Sequence, residues 1–317
     1  MKKTVLILGA SGRFGQNAAC SFSWAGWEVR KFDRRTDTLT DAAWGADLIV
    51  NAWNPAYTDW AHDVPRLTAQ VIETAKDTGA TVLIPGNVYP YGQDMPAVLS
   101  EHTPHRATNP LGRIRMEMEQ AYKDSGVRTI ILRAGDFIDT RASGNWFDRI
   151  ITAKSAKGRI TYPGDPDIPH AWAFLPDVTD IAAALAEKLD ALPRFADISV
   201  PGLTLTGRDM TDSIARVSGR PQELTRMSWL PIQLARPFWG LAAPLLEMRY
   251  LWNTPHQIKS HRLQDLLPDF VPTPLDQVLE ASLPEDINPD RFMRRHLDGL
   301  PRRLLSFNCG CGNTQAS

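Results

Sequence analysis

A doubly wound α/β fold, with a parallel sheet and a smaller C-terminal α+β region on the substrate side, is predicted by three observations. Val5-Leu6-Ile7-Leu8 is an unbroken aliphatic run, the pattern of a strand buried on both faces. It empties into Gly9-Ala10-Ser11-Gly12-Arg13-Phe14-Gly15, and a helical pattern starts at once. Strand and helix patterns then alternate to about residue 145, as crossover connections between parallel strands require.

Glycines at 9, 12 and 15 serve a tight turn with free φ, close approach of backbone N–H groups to an anion, and close packing of helix on strand. The anion meets a helix N-terminus, where unpaired N–H groups and the positive end of the macrodipole favour a pyrophosphate. This turn, with Ser11, Arg13 and Phe14 in it, therefore predicts a Rossmann-type dinucleotide site. The first helix runs from Gly12 to Ala25 and is ended by Gly26. Trp27 to Phe32 form a second strand that closes on Asp33, 18 residues past Gly15. An acid there accepts hydrogen bonds from the adenosine ribose hydroxyls of NAD. Arg34 and Arg35 follow, and with Arg13 they suit the 2′-phosphate of NADP, so the balance tips to NADP over NAD; Arg35 reads equally as part of a solvated charged turn.

Asp47 to Asn51 form a third strand, which delivers Asn51, Ala52, Trp53, Asn54 and Tyr57 to the edge where ligands bind in open α/β sheets. Asn51, Ala52 and Trp53 are candidate cofactor contacts, and Asn54 and Tyr57 candidate substrate contacts. A helix over 63–78 tolerates Pro65 in its first turn and stops at Gly79. Thr81 to Pro85 form the fourth strand and lead into Gly86-Asn87-Val88-Tyr89-Pro90-Tyr91-Gly92, an exposed turn with Asn87 and Tyr91 as further substrate candidates. Leu111 to Lys123 are helical, and Arg115/Glu119 has the spacing of a surface ion pair. Thr129 to Leu132 form another strand, which empties into Arg133-Ala134-Gly135-Asp136-Phe137.

Beyond about residue 145 Pro and Trp cluster and the alternation lapses. Residues 1–145 are expected to be the dinucleotide-binding domain, joined by further elements from 171–200, with 146–283 as the substrate side and 284–317 as an extended arm and loose tail. Asp177 is expected to N-cap a helix over Val178–Leu189. A strand at Asp197–Val200 and a helix at Asp209–Ser218 restore the α/β pattern. Pro231 to Glu247 is very apolar but broken by Arg236, Pro237 and Pro244; it is too short to span a bilayer and reads first as core, then as a pocket cover or a partner-packing surface.

Composition narrows the function classes. Apolar residues make up 43% and charged residues 22%, near the averages of globular domains. A net charge of −1 gives no electrostatic ground for a nucleic-acid partner. The run after Met1-Lys2-Lys3 breaks at Gly9 with no small-residue cleavage site, so it reads as a strand and not as a signal peptide. Three cysteines, Cys20, Cys309 and Cys311, rule out a disulfide framework and point to a reducing, cytoplasmic compartment. Cys309-Gly310-Cys311 lacks the further ligands a zinc shell needs, so no metal is expected.

The glycine turn, Asn87-Val88-Tyr89, Asn109-Pro110-Leu111-Gly112 and Leu132-Arg133-Ala134-Gly135-Asp136 together resemble the extended short-chain dehydrogenase/reductase superfamily, the NAD-dependent epimerase/dehydratase group. Ala171 to Val178 and Val200-Pro201-Gly202 with Leu205-Thr206 also fit, and the resemblance covers roughly residues 1–283. It implies a tyrosine general acid/base whose pKa is lowered by a lysine four residues on, assisted by a Ser or Thr. At those positions this chain has Leu111, Arg115 and Pro85. Leucine carries no proton and proline no hydroxyl, whereas Arg115 still donates to ribose hydroxyls and stabilises a nearby phenolate. A replacement proton donor is sought in Tyr89, with Tyr91 and Tyr57 as alternatives; Asp136 is placed to orient the carboxamide or the substrate. His102, His105 and His170 lie in loops near the same edge.

The resemblance thus implies an atypical member: an NAD(P)-binding oxidoreductase or epimerase-like enzyme with a non-standard acid/base, acting on a small organic molecule and able to homodimerise. The alternative is a non-catalytic NAD(P)-binding sensor, regulator or assembly subunit.

Overall fold

A computed structural model describes residues 2–284 and 287. In chain order the elements are β1 (Thr4–Leu8), α1 (Arg13–Trp24), β2 (Glu28–Lys31), α2 (Leu39–Ala43), β3 (Leu48–Asn51), α3 (Trp60–Thr78), β4 (Thr81–Gly86), β5 (Val98–Leu99), α4 (Pro110–Ser125), β6 (Thr129–Arg133), β7 (Asp136–Ile138), β8 (Arg159–Tyr162), β9 (His170–Phe174), α5 (Leu175–Ala186), β10 (Phe195–Ser199), β11 (Leu203–Leu205), α6 (Gly207–Ser218), β12 (Glu223–Arg226), α7 (Leu230–Ala235), α8 (Ala242–Glu247), β13 (Gln257–Ile258), α9 (His261–Leu266) and α10 (Leu275–Ser282).

A six-stranded parallel sheet in the order β10-β6-β4-β3-β1-β2 forms the centre, so the predicted doubly wound α/β fold is present. Period-two geometry sorts β1 between the two sheet faces. Val5 and Ile7 enter a core with α1 and α5, and Leu6 and Leu8 enter the opposite core with α3 and α4. The edge strand β2 carries Glu28, Arg30 and Lys31, which discourages pairing with another chain. The strand order reverses between β1 and β3, and this opens a crevice at their carboxyl ends. A smaller sheet, β11-β9-β7, and the pair β12-β8 flank a third core containing Trp172, Trp229 and Trp252.

Three expectations are corrected. Asp177 is not an N-cap: α5 starts at Leu175, with Phe174 as its N-cap. Asp177 sits in the first turn, where it accepts from Thr273 N (2.8 Å) and Oγ1 (2.7 Å) and so ties the C-terminal segment to this helix. The apolar stretch 231–247 is not plain core. Its prolines break it into the short helices α7 and α8, and Leu230, Leu234, Phe238 and Trp239 are exposed. Arg115 and Glu119 are no surface pair, since both are buried. The expected tail with Cys309 and Cys311 lies outside the described residues. Among the described residues no helix is long and apolar enough to cross a membrane.

Candidate nucleotide-binding and active site

The glycine turn occupies the crevice between β1 and β3. Gly9 has φ +74°, and a Cβ there would meet Ala52 O at 2.9 Å. At Gly15 a Cβ would lie 2.2 Å from Gly9 O, so no side chain fits. Gly12 N–H donates to Gly9 O at 2.9 Å and closes the turn. Gly12 is also the N-cap of α1, with extended backbone and no side chain capping it; the first turn of α1 holds no acid. This is a cradle for an anionic ligand: backbone N–H groups at a helix start, with no side-chain cap and no acid to compete for them. Ser11 is exposed at the tip, while Phe14 is buried against Phe137, with ring centroids 6.3 Å apart. Arg13 Nη2 donates to Gly144 O at 3.1 Å and so links the start of α1 to the segment after β7.

At the end of β2, Arg35 holds Asp33. Arg35 N and Nε donate to Oδ1 at 3.0 and 3.3 Å and Nη2 to Oδ2 at 3.1 Å, and these hydrogen bonds keep the Asp33 carboxyl below the usual carboxylate range. Arg34 is exposed beside this pair.

The turn after β3 is internally braced. Asn51 Nδ2 donates to Tyr122 OH at 3.1 Å and Asn51 Oδ1 accepts from Trp53 N at 3.3 Å, so this side chain shapes the turn, while Trp53 lies edge-on to Phe32 at 5.6 Å. Next to it the hydroxyls of Tyr57 and Tyr89 are 2.7 Å apart. Burial pushes the Tyr57 hydroxyl up and the Tyr89 hydroxyl well up, and Arg115 opposes this only in small part. Both phenols therefore hold their protons: one hydroxyl donates to the other, which leaves a single O–H of the pair to donate elsewhere. Arg115 is buried, its guanidinium 4.2 Å above the Trp60 ring, with Nη2 donating to Asn54 Oδ1 at 2.9 Å; burial pushes its pKa down. The structure thus brings Asn54, Tyr57, Tyr89 and Arg115 together.

Other candidates are placed elsewhere. Tyr91 is 2% exposed and donates to Ser100 O, turned into the core and not into the cleft. Asn87 serves its own turn: Oδ1 accepts from Tyr89 N at 3.1 Å and O accepts from Arg133 Nη1 at 2.6 Å. Pro85 lies in β4. Leu111 is 4% exposed in the core, and its N–H donates to Glu247 Oε1 at 2.7 Å, an oxygen that also accepts from Asn109 Nδ2 at 2.7 Å. None of the six tyrosines is followed four residues on by a lysine.

Two constellations escape sequence reading because their members come from distant segments. Arg133, fully buried, bridges Glu119 and Asp197, with His105 alongside at 3.6 and 3.9 Å. His105, Glu119 and Asp197 have the spacing of metal ligands, but Arg133 already supplies the cation between the two carboxylates. The second constellation is Asp136 with His170, 2.8 Å apart.

No family model and no curated protein matches this sequence. Solved structures do. MoeE5 in complex with UDP-glucose and NAD superposes with a TM-score of 0.69 at 16% identity, covering 93% of this chain and 99% of that one. UDP-glucose 4-epimerase from Brucella ovis, in complex with NAD, gives 0.67 at 14% identity over 91% and 98%. dTDP-4-dehydrorhamnose reductase from Bacillus anthracis, in complex with NADP, gives 0.66 at 16% identity over 89% and 99%. Across nearly its whole described length, the chain has the fold of these epimerase and reductase structures.

Proposed function

We propose that this chain is an NAD(P)-dependent oxidoreductase or epimerase-like enzyme of the extended short-chain dehydrogenase/reductase kind, with NADP the favoured cofactor and a nucleotide sugar as substrate. The observation that carries the reading is the cradle at Gly9, Gly12 and Gly15, where any Cβ at Gly15 would collide with backbone. Gly9, Ser11, Gly12, Arg13, Phe14, Gly15, Ala52 and Trp53 hold the dinucleotide, with Asn51 bracing the turn; Asp33 and Arg34 meet its adenosine end. The solved structures of this fold that contain NAD together with UDP-sugars, or that contain NAD or NADP and bear nucleotide-sugar enzyme names, support the choice of ligand class.

When bound, a nicotinamide supplies the hydride chemistry. The residues of the chain do the rest. Tyr89, backed by Tyr57, donates a hydrogen bond to a substrate oxygen, and its raised pKa keeps it a donor. Arg115, fixed by Trp60 and Asn54, supplies a permanent charge near the tyrosine pair and would hold the nicotinamide ribose. Asn54, Tyr57 and Asp136 line the substrate side. Residues 1–145, with elements of 171–200, form the cofactor half, and 146–283 form the substrate half.

A second reading, a non-catalytic NAD(P)-binding sensor, regulator or assembly subunit, draws on Leu111, Arg115 and Pro85 at the positions where the family's proton relay would lie. One experiment separates the two. NADPH and NADH fluorescence measures binding, after which absorbance follows turnover of a panel of UDP- and dTDP-sugars. Turnover sensitive to Tyr89→Phe supports the enzyme; tight binding with no turnover on any panel member supports the sensor.

A further inference from the structure

Tyrosines that hold their protons cannot take one from a substrate hydroxyl, so oxidation in this cleft needs another base. Asp136, the first residue of β7, has a side chain 28% exposed, and its Oδ2 lies 2.8 Å from His170 Nε2. His170 is 2% exposed; its ring stacks on Trp252 at 4.4 Å with 3° between planes and meets His256 edge-on at 4.5 Å. This clamp fixes the ring, and the carboxylate fixes a proton on Nε2. Behind the pair, His170 Nδ1, His256 Nε2 and Trp172 Nε1 are buried with no hydrogen-bond partner among the described residues. Each such atom costs about 1–3 kcal/mol in a core, and the three rings that carry them pack together, Trp172 and His256 both against His170 at 5.0 and 4.5 Å. Gly86 and Arg133, the last residues of β4 and β6, are paired in register, and Tyr89 and Asp136 each follow three residues on, so phenol and carboxylate issue from the same edge of the sheet.

We infer that Asp136 is the general base of this cleft and that His170 is its positioning residue. The assignment rests on the NAD(P)-dependent reading above. In the oxidising direction the O–H proton of a sugar hydroxyl passes to an Asp136 oxygen as the geminal C–H hydrogen leaves, with its electron pair, for the oxidised nicotinamide. A carbonyl, a neutral carboxylic acid and a reduced cofactor result, and the reverse direction returns both hydrogens. Tyr57 and Tyr89 donate hydrogen bonds without ionising. The titratable groups facing Asp136 are Tyr57, Tyr89, Tyr162 from the end of β8, His170 and His256.

Asp136→Asn tests the assignment, with NADPH, UDP-glucose and UDP-glucuronic acid as probes. Fluorescence should show NADPH binding unchanged while turnover on the nucleotide-sugar panel falls by about 100-fold or more. Calorimetry should show UDP-glucuronic acid gaining about ten-fold in affinity relative to UDP-glucose, because the repelling carboxylate is gone. His170→Phe should lower kcat at constant KM and shift the acid limb of the pH profile, and His170→Gln, which keeps a donor, should recover part of the loss. Should Asp136→Asn fail to fold, the His170 pair decides. Undiminished turnover in Asp136→Asn, unchanged sugar selectivity, no difference between the His170 variants, or a wild type inert on every probe overturns the assignment. Failure of the wild type to bind NADPH or NADH overturns instead the reading beneath it.

Discussion

Arg133 and Glu119 meet in full burial: Nη2 lies 2.7 Å from Oε2 and Nη1 3.2 Å from Oε1, with Asp197 on the other side of the guanidinium at 2.6 Å. The three residues join α4, β6 and β10 beneath the candidate site. Breaking a buried pair leaves an uncompensated charge, at a cost of about 3–5 kcal/mol. Because Asp197 still faces Arg133, Glu119→Gln should fall at the low end, about 3 kcal/mol, and Arg133→Met, which leaves two carboxylates together, higher. Urea unfolding measures both; a Glu119→Gln loss under about 1 kcal/mol would show that Asp197 alone suffices.

The glycine turn should fail in a set order. Gly15→Ala forces a Cβ to 2.2 Å from Gly9 O, Gly9→Ala to 2.9 Å from Ala52 O with φ +74°, and Gly12→Ala only to 3.2 Å from Gly9 O. NADPH binding by fluorescence should therefore be lost most in Gly15→Ala, next in Gly9→Ala and least in Gly12→Ala. Equal binding in all three would mean that the dinucleotide lies elsewhere.

Cofactor choice is expected to rest on Arg34. Arg35 is engaged with Asp33, whereas Arg34 is exposed beside the pair. Arg34→Ala should weaken NADPH by about ten-fold and leave NADH unchanged, as loss of one phosphate contact would. An unchanged NADPH-to-NADH ratio defeats the NADP preference.

Acid should destabilise the fold through His256. Burial, and then the neighbouring His170, push its pKa down from 6.5 to about 3. In this window the unfolded chain binds a proton that the folded chain does not, so stability is intact above the unfolded value and falls as pH drops from about 6.5 toward 3, by up to about 1.4 kcal/mol per pH unit. His256→Gln should flatten that part of the stability–pH curve measured by urea unfolding. An identical slope in the variant would place the acid sensitivity in other groups.

Much of the fold was legible because its signals are local. Four aliphatics in β1, glycines at 9, 12 and 15, and an acid at the end of β2 each speak through neighbours in sequence. Asp177 misled because acids suit both the N-cap and the first turn, and only tertiary contact with Thr273 distinguishes them. Residues 231–247 misled because apolar composition says nothing of what lies opposite; prolines keep this stretch from packing as one helix. Arg115 and Glu119 have ion-pair spacing, yet Glu119 is taken by Arg133 and Arg115 by Trp60 and Asn54, partners no periodicity announces. Likewise Asp136 and His170, 34 positions apart, pair only once β7 and β9 lie side by side.

Glu247 receives the first amide of α4 from 136 residues away, while the Leu111 side chain sinks into the core beneath. This one position is thus a rivet between two distant segments, its amide held from α8 and its side chain from the core. A tyrosine at 111 would have to displace packed aliphatics, and a lysine at 115 would give up the place over Trp60 and the bond to Asn54.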